Sequence, residues 1–491
     1  MQRLCSDRYQ LAPLCTLLIL VMIACIRLLS SFLRQFYIYK NFLHLQGFHS
    51  TQKTKQFFMI QKLTIIVTLF VLMIGCKDPH ANHTGDAAMV IKLKSLLNQQ
   101  DYFRLEKQLD ESGNKISPSQ KLYYRAFLEN AFNRNEAAAA TIDSLLDGAD
   151  SLHLTDSAQA ALKLLQGDSY FKLFQYVKAA QDDSMVLGRY PLALDSSKID
   201  DVKNEFLIRK ALQNTPPQQT FILHNTVTHW TKDALGLKEI PVRSGKKVYS
   251  GIFDTRANIS SITQTYAKKL GLKILPVSYK EGSGITGNTF KTGLGIADSL
   301  YIGDILVRNV VFQVMPDSIL YLQPLHFSMN LIIGFPVISQ LKEIHIFKDG
   351  HMIVPLVETE SNLHDFALNG LDPVISLQKG NDTLSFNFDM GATTTTLYYA
   401  YFEKYKSEII KNGIRKKTRF GGAGGIQTKD TYVVPSVDLK MRAKNVSLDS
   451  VTILTQKIYP AEKLYGNIGN DFDSNFDELI LNFDKMYIKG N

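Results

Sequence analysis

Cysteine is absent from most of this chain. All four cysteines (Cys5, Cys15, Cys25, Cys76) fall in the first 76 of 491 residues, so the rest can form neither a disulfide nor a thiolate metal site. A body without cross-links must be held by packing alone. Histidine offers no metal signature either: the eleven histidines contain no His-Glu-x-x-His, and His345 and His351 read as surface residues flanking a turn. No cofactor and no metal is expected. Basic charge is scarce where it would matter. The chain carries a net +9, but residues 1–76 hold eight Lys/Arg against Asp7 alone, which leaves 47 basic and 45 acidic residues to the remainder. Nucleic-acid binding needs a basic patch on the folded part, and a net +2 supplies none.

What is present begins with a targeting segment. Met59-Ile-Gln-Lys62 and the apolar run that follows it end on Met73-Ile-Gly-Cys76, the layout of a signal peptide. The last four residues resemble the lipobox of bacterial lipoproteins, which implies that Cys76 is lipidated and that residues 59–76 are removed or anchored. On this reading 1–58 is an extension upstream of the true start at Met59. The alternative keeps Met1 and makes 11–33 a membrane segment, although the apolar run Leu11–Ile26 is short for a span. The expected location is the bacterial cell envelope, with the membrane as a partner through a lipid anchor.

Residues 77–86 are a polar linker. From 87 to 215 the apolar spacing of three and four, with few Pro or Gly, predicts helices over 87–98, 101–111, 117–132, 135–147, 156–171, 174–187 and 197–213. Ala131, Asn135, Ala137 and Ala140 share their spacing with Tyr170, Phe174, Tyr176 and Ala179, 39 residues on. That resembles tetratricopeptide-type packing, and an irregular helical bundle satisfies the pattern equally. A helical array commonly presents a peptide-binding surface, so a protein partner belongs here if anywhere. After Pro216-Pro217 the texture turns to short Val/Ile/Thr-rich runs punctuated by Gly and Asn. Two β halves, 218–357 and 366–491, flank a polar stretch at Glu358–His364.

The halves repeat. Phe253-Asp254-Thr255-Arg256-Ala257 corresponds to Phe388-Asp389-Met390-Gly391-Ala392, 135 residues later. Ile332-Ile333-Gly334 corresponds to Asn467-Ile468-Gly469 at the same offset, and Asp349 and Asp484 keep the register. Between these marks each half carries a Gly-rich turn, Gly282–Gly287 and Gly421–Gly425. Paired loops, paired apolar-Gly elements and one spacing make an internal duplication.

With these residues in view, the halves resemble two fused copies of the retropepsin-like aspartyl protease family. They are also similar to paired aspartyl-protease-like lipoproteins of Bacteroidetes-type bacteria. The resemblance covers about 218–491 and implies an all-β, two-lobed acid-protease double barrel behind the helical domain. It further implies Asp254 and Asp389 as a catalytic dyad, with Thr255, Arg256, Ala257, Met390, Gly391 and Ala392 as loop support. Gly334 and Gly469 would brace the loops, and flaps around 280–296 and 418–434 would carry Gly284, Ile285, Gly287, Gly422 and Gly424. The implied substrate is a peptide or protein. Two adjacent carboxylates share one proton, so one can activate water while the other polarises the scissile carbonyl.

Two positions depart from the family pattern. Arg256 stands where a glycine lets the backbone approach a carboxylate, and its cation is expected to depress both pKa values and favour a doubly ionised dyad. Met390 replaces a Thr/Ser hydroxyl that ties the lobes, a loss of about 1 kcal/mol. An active endopeptidase and an inert peptide-binding scaffold are thus the alternatives. Other motifs carry less. Gly282-Ser-Gly-Ile-Thr-Gly287 matches a dinucleotide fingerprint, but a strand-like stretch rather than a helix follows it. Thr393–Thr396 reads as strand packing.

Overall fold

The computed structural model describes residues 86–149, 152–282, 287–459 and 462–491. Cys76 and the apolar runs before it lie outside the described residues, as do Gly284 and Ile285. Among the described residues no helix is long and apolar enough to cross a membrane.

An N-terminal helical region precedes the β-rich part. Its helices are Ala87–Asn98, Tyr102–Asp110, Pro118–Ala131, Asn135–Asp147, Asp156–Lys172, Tyr176–Arg189 and Ser196–Ala211, each within two residues of the bounds that periodicity predicts. All but the starts at Asn135 and Tyr176 carry side-chain caps. Ser117 and Gln120 form a reciprocal capping box with Pro118 in the first turn, and Asp101, Thr155 and Asp195 each accept a backbone N–H of the turn they open. The region is docked on the β part. Phe171, Phe174, Tyr176, Ile208 and Leu212 pack with Tyr279, Leu294 and Ile296 in one apolar cluster, and Asn133 Nδ2 donates to the Phe483 carbonyl at 2.9 Å.

The β part is two lobes of matching topology. In lobe 1 the strand Lys247–Phe253 runs parallel to Leu331–Ile333, which pairs antiparallel with Ser260–Thr263, itself parallel to Ile305–Met315. Lobe 2 repeats the order: Asp382–Phe388 is parallel to Gly466–Ile468, which is antiparallel to Thr396–Leu397, which is parallel to Lys444–Leu454. Each lobe adds a long hairpin, Lys273–Gly282 with Thr289–Ile302 and Ile414–Gly422 with Gly425–Met441. A separate five-stranded sheet joins the lobes, with Glu343–Phe347 of lobe 1 antiparallel to Glu478–Asn482 of lobe 2.

That joining sheet holds a buried charge. The Glu343 carboxylate is fully buried and accepts from Thr359 Oγ1 at 2.7 Å, Asn482 Nδ2 at 2.7 Å, Tyr487 Oη at 2.9 Å and the Thr359 N–H at 3.1 Å. His345 lies between Glu343 and Glu478, at 2.8 and 2.7 Å, so it is an interlobe residue and not the surface histidine its neighbourhood in the sequence suggests. Burial works to raise the Glu343 pKa, but the bonds from Thr359, Asn482 and His345 outweigh it and hold the group at about 2. A depressed carboxylate stabilises the fold above its unfolded pKa and stops doing so as pH falls through the folded value. Glu343→Ala is therefore expected to cost about 3 kcal/mol at pH 7 in urea unfolding, since it strands several buried donors. The gap to wild type should narrow as pH falls from about 4.5 to 2.

Candidate active site

The two aspartate loops are built alike. Asp254 follows the strand ending at Phe253, and its N–H donates to the Ile333 carbonyl at 3.0 Å; the Asp389 N–H donates to the Ile468 carbonyl at 2.9 Å. A parallel neighbour thus fixes each loop at its first residue. The glycine after that neighbour is pressed onto the same loop. A Cβ on Gly334 would lie 2.4 Å from the Ala257 carbonyl oxygen, and one on Gly469 would lie 2.6 Å from the Thr394 carbonyl carbon and 3.0 Å from the Ala392 oxygen. Hydroxyls complete the brace: Ser260 Oγ accepts the Gly334 N–H at 3.0 Å and Thr395 Oγ1 accepts the Gly469 N–H at 3.2 Å.

The loops meet back to back. Thr255 Oγ1 donates to the Phe388 carbonyl at 2.9 Å and accepts the Met390 N–H at 3.0 Å, so one hydroxyl makes both bonds across the lobe boundary. Met390 returns no hydroxyl, and its side chain is buried in the main core. A different contact takes up load nearby. Lys238, only 2% exposed, crosses from lobe 1 and donates to Asn470 Oδ1 at 2.6 Å, forms an ion pair with Asp473, and lies 5.1 Å over the Trp230 ring. Asn470 in turn donates to the Met390 carbonyl at 2.8 Å.

The carboxyls are not equivalent. Asp254 Oδ1 accepts the N–H groups of Arg256 at 2.8 Å and Ala257 at 3.1 Å. The other side of this carboxyl rests on Gly391, where a Cβ would stand 2.2 Å from Asp254 Cγ. Only glycine fits there. Arg256 occupies the equivalent position in lobe 1 and carries a Cβ, so Asp389 has no such seat. It accepts the Gly391 N–H at 2.9 Å and Asn467 Nδ2 at 2.7 Å instead, while the Ala392 N–H goes to the Asp389 carbonyl.

Arg256 does not swing away. Its Nη1 donates to Asn467 Oδ1 at 3.0 Å and lies 3.9 Å from Asp389 Oδ2, and Nε lies 3.4 Å from Asp372 Oδ1. The side chain is 22% exposed. Burial, with the negative Asp389 beside it, pushes Asp254 up to about 7 against the pull of two N–H groups and Arg256. Asp389 is also raised by burial, opposed by Arg256, Asn467 and the Gly391 N–H. Arg256 pulls both groups down as expected, but the net shift of each is upward. Desolvation outweighs the cation, because Arg256 spends part of its charge on Asp372.

The two hairpins meet each other. Asn288 Nδ2 donates to the Gly424 carbonyl at 2.7 Å, Gln427 Nε2 to Asn288 Oδ1 at 3.3 Å, and the Gly424 N–H to the Ile319 carbonyl at 3.0 Å. The second tip turns between Gly422 and Gly425, with Gly424 at φ +79°; Gly287 beside the first tip has φ +68°. Sequence reasoning passed over Asp372, Lys238, Asn470, Tyr398 and the side chain of Asn467. The offset of 135 contains the signal for three positions: Leu237, Ile252 and Ile332 of lobe 1 become Asp372, Asn387 and Asn467 in lobe 2.

A carboxyl with a raised pKa favours the fold below its unfolded pKa, and that contribution is lost as pH rises through the folded value. Asp254→Asn should therefore gain stability relative to wild type between about pH 4 and 7. The gain is at most about 4 kcal/mol at pH 8 and is readable as a difference in thermal midpoint across that range.

Comparison with known proteins agrees with this geometry in part. The family model described as aspartyl protease matches residues 240–337, which run from the strand before Asp254 to just beyond Gly334. No curated protein matches the chain. Among solved structures it is similar to conglutin gamma, a basic 7S globulin from lupine seeds. The identity is 9% and the TM-score 0.35, over 54% of this chain and 94% of that one. Residues 240–337 form an aspartyl-protease-like region, set in a two-lobed β fold behind a helical one.

Proposed function

We propose that this chain is an aspartic endopeptidase of the retropepsin-like kind, with Asp254 and Asp389 as its dyad. The observation that carries the reading is the pair of loops clasped through Thr255, with the Asp254 carboxyl seated on Gly391 beside Asp389. Their environments divide the labour. Asp389 faces the Arg256 guanidinium and the Asn467 amide and ionises first, so it takes the proton from an attacking water. Asp254, pushed up to about 7, keeps the shared proton and donates it to the scissile carbonyl oxygen. The hairpin tips cover the bound peptide. Cleavage of an unfolded protein mixture is expected in acid, falling as pH rises through about 7, with inhibition by pepstatin and loss in Asp254→Asn. An undiminished rate in Asp254→Asn would overturn the assignment.

One observation favours a second reading, a cleft that binds peptides without cutting them. The Arg256 guanidinium sits 3.9 Å from Asp389 Oδ2, where it competes for the anion that must act as base. The two separate cleanly. A silent wild type that gains cleavage in Arg256→Gly with Met390→Thr supports the inert cleft; no cleavage in either removes the protease reading.

We further propose that the chain is a lipoprotein of the bacterial envelope, lipidated on Cys76. The basic start, apolar run and Met73-Ile-Gly-Cys76 support this. Metabolic labelling with a radioactive fatty acid should mark the wild type and not Cys76→Ala, and equal labelling of both would reject it.

A further inference from the structure

The two walls of the cleft differ in chemistry. On the lobe 1 side Leu237, Ile252, Ile332, Met315 and Leu320 form an apolar cluster, and Phe290 and Ala423 of the two hairpins pack on it. At the offset of 135 residues, Leu237, Ile252 and Ile332 correspond to Asp372, Asn387 and Asn467. These polar residues also share a side. Ile252 pairs in register with Ile332 in lobe 1, as Asn387 does with Asn467 in lobe 2, and Asn467 bonds to Asp389. Lobe 2 therefore forms a polar, anionic recess around the Arg256 guanidinium, where the equivalent positions of lobe 1 belong to a closed apolar cluster.

The recess is filled from the other lobe. The guanidinium of Arg256 enters it, with Asp372 at 3.4 Å, Asn467 Oδ1 at 3.0 Å and Asp389 at 3.9 Å. The phenols of Tyr398 and Tyr459 are near enough to feel its charge. Asn467 is used at both ends, its oxygen accepting from Arg256 and its nitrogen donating to Asp389. Two carboxylates and an amide oxygen around one planar cation match what a guanidinium or ammonium group requires.

We propose that the lobe 2 recess is a subsite for a basic side chain and that Arg256 is its built-in occupant. The idea rests on the cleft being a peptide site, whether or not it cuts. A group tethered in place competes at an effective concentration on the order of millimolar or more, so the wild type excludes a free lysine or arginine side chain from that recess. Removing Arg256 opens the recess to a basic side chain.

The test is binding, which needs no catalysis. Thermal midpoints of the full chain are followed while N-acetyl-arginine amide, N-acetyl-lysine amide or N-acetyl-norleucine amide is titrated into wild type, Arg256→Gly and Arg256→Ala. The expected result is a saturable rise in both variants with the arginine and lysine probes, at least tenfold tighter than with norleucine. No such rise is expected in wild type, nor in Arg256→Ala combined with Asp372→Asn. Equal response of wild type and variants, or no preference for the basic probes, overturns the proposal. Should neither variant fold, Asp372→Asn compared with the wild-type chain still decides it. Phenylglyoxal labelling of Arg256, mapped by mass spectrometry, should rise several-fold in Asp372→Asn, and unchanged labelling overturns the proposal. Neither readout uses peptide cleavage, so an inactive dyad fails the cleavage assay while leaving both measurements decisive.

Discussion

Burying two carboxyls beside one another is the constraint on which the rest of the cleft depends. Neither Asp254 nor Asp389 can be desolvated cheaply, and each raises the cost of ionising the other. The chain meets that cost with fixed dipoles and close backbone approach. N–H groups of Arg256, Ala257 and Gly391 point at the carboxyl oxygens, and the missing side chain of Gly391 makes room for Asp254. These groups are placed correctly only if the loops are rigid, which explains the stacking of parallel strand, glycine brace and hydroxyl behind each one. Thr255 then holds the loops together, and Lys238 and Glu343 hold the lobes that carry them.

The two lobes share a scaffold and differ in the side chains set on it. The scaffold positions stayed alike: Gly334 and Gly469, Ser260 and Thr395, the strand order of both lobes. Positions around the aspartates did not. Met390 removed one hydroxyl from the clasp, and Asn470 with Lys238 now holds that loop by another route. A lobe that loses one interlobe bond worth about 1 kcal/mol and gains a buried charged brace keeps its place.

Much of this was legible in the sequence because it is periodic or repeated. Helices announced themselves by spacing, the aspartate loops and braces by recurrence at one interval, and the hairpin tips by glycine. What stayed hidden depends on side chains from distant positions meeting. Lys238 reads as one lysine among many, although it is a buried interlobe tether. His345 sits in an alternating strand beside a turn, and only the pairing of Glu343 with Asn482 shows that it faces the other lobe. The reach of Arg256 was equally invisible, since its partner Asp372 is 116 residues away.

That reach bears on the proposed chemistry in a specific way. A cation about 4 Å from a carboxylate is worth about 4 kcal/mol at an effective dielectric constant near 20, enough to strip the shared proton if it acted on both aspartates equally. It does not act equally. The guanidinium lies on the Asp389 side, bridged to it by Asn467, and shares its charge with Asp372. Asp254 sits across Gly391, where burial and the neighbouring negative charge dominate and hold its proton to about neutral pH. Arg256 therefore acts more directly on Asp389 than on Asp254. Its nearest effect is on the space beside Asp389, which the guanidinium occupies between Asn467 and Asp372.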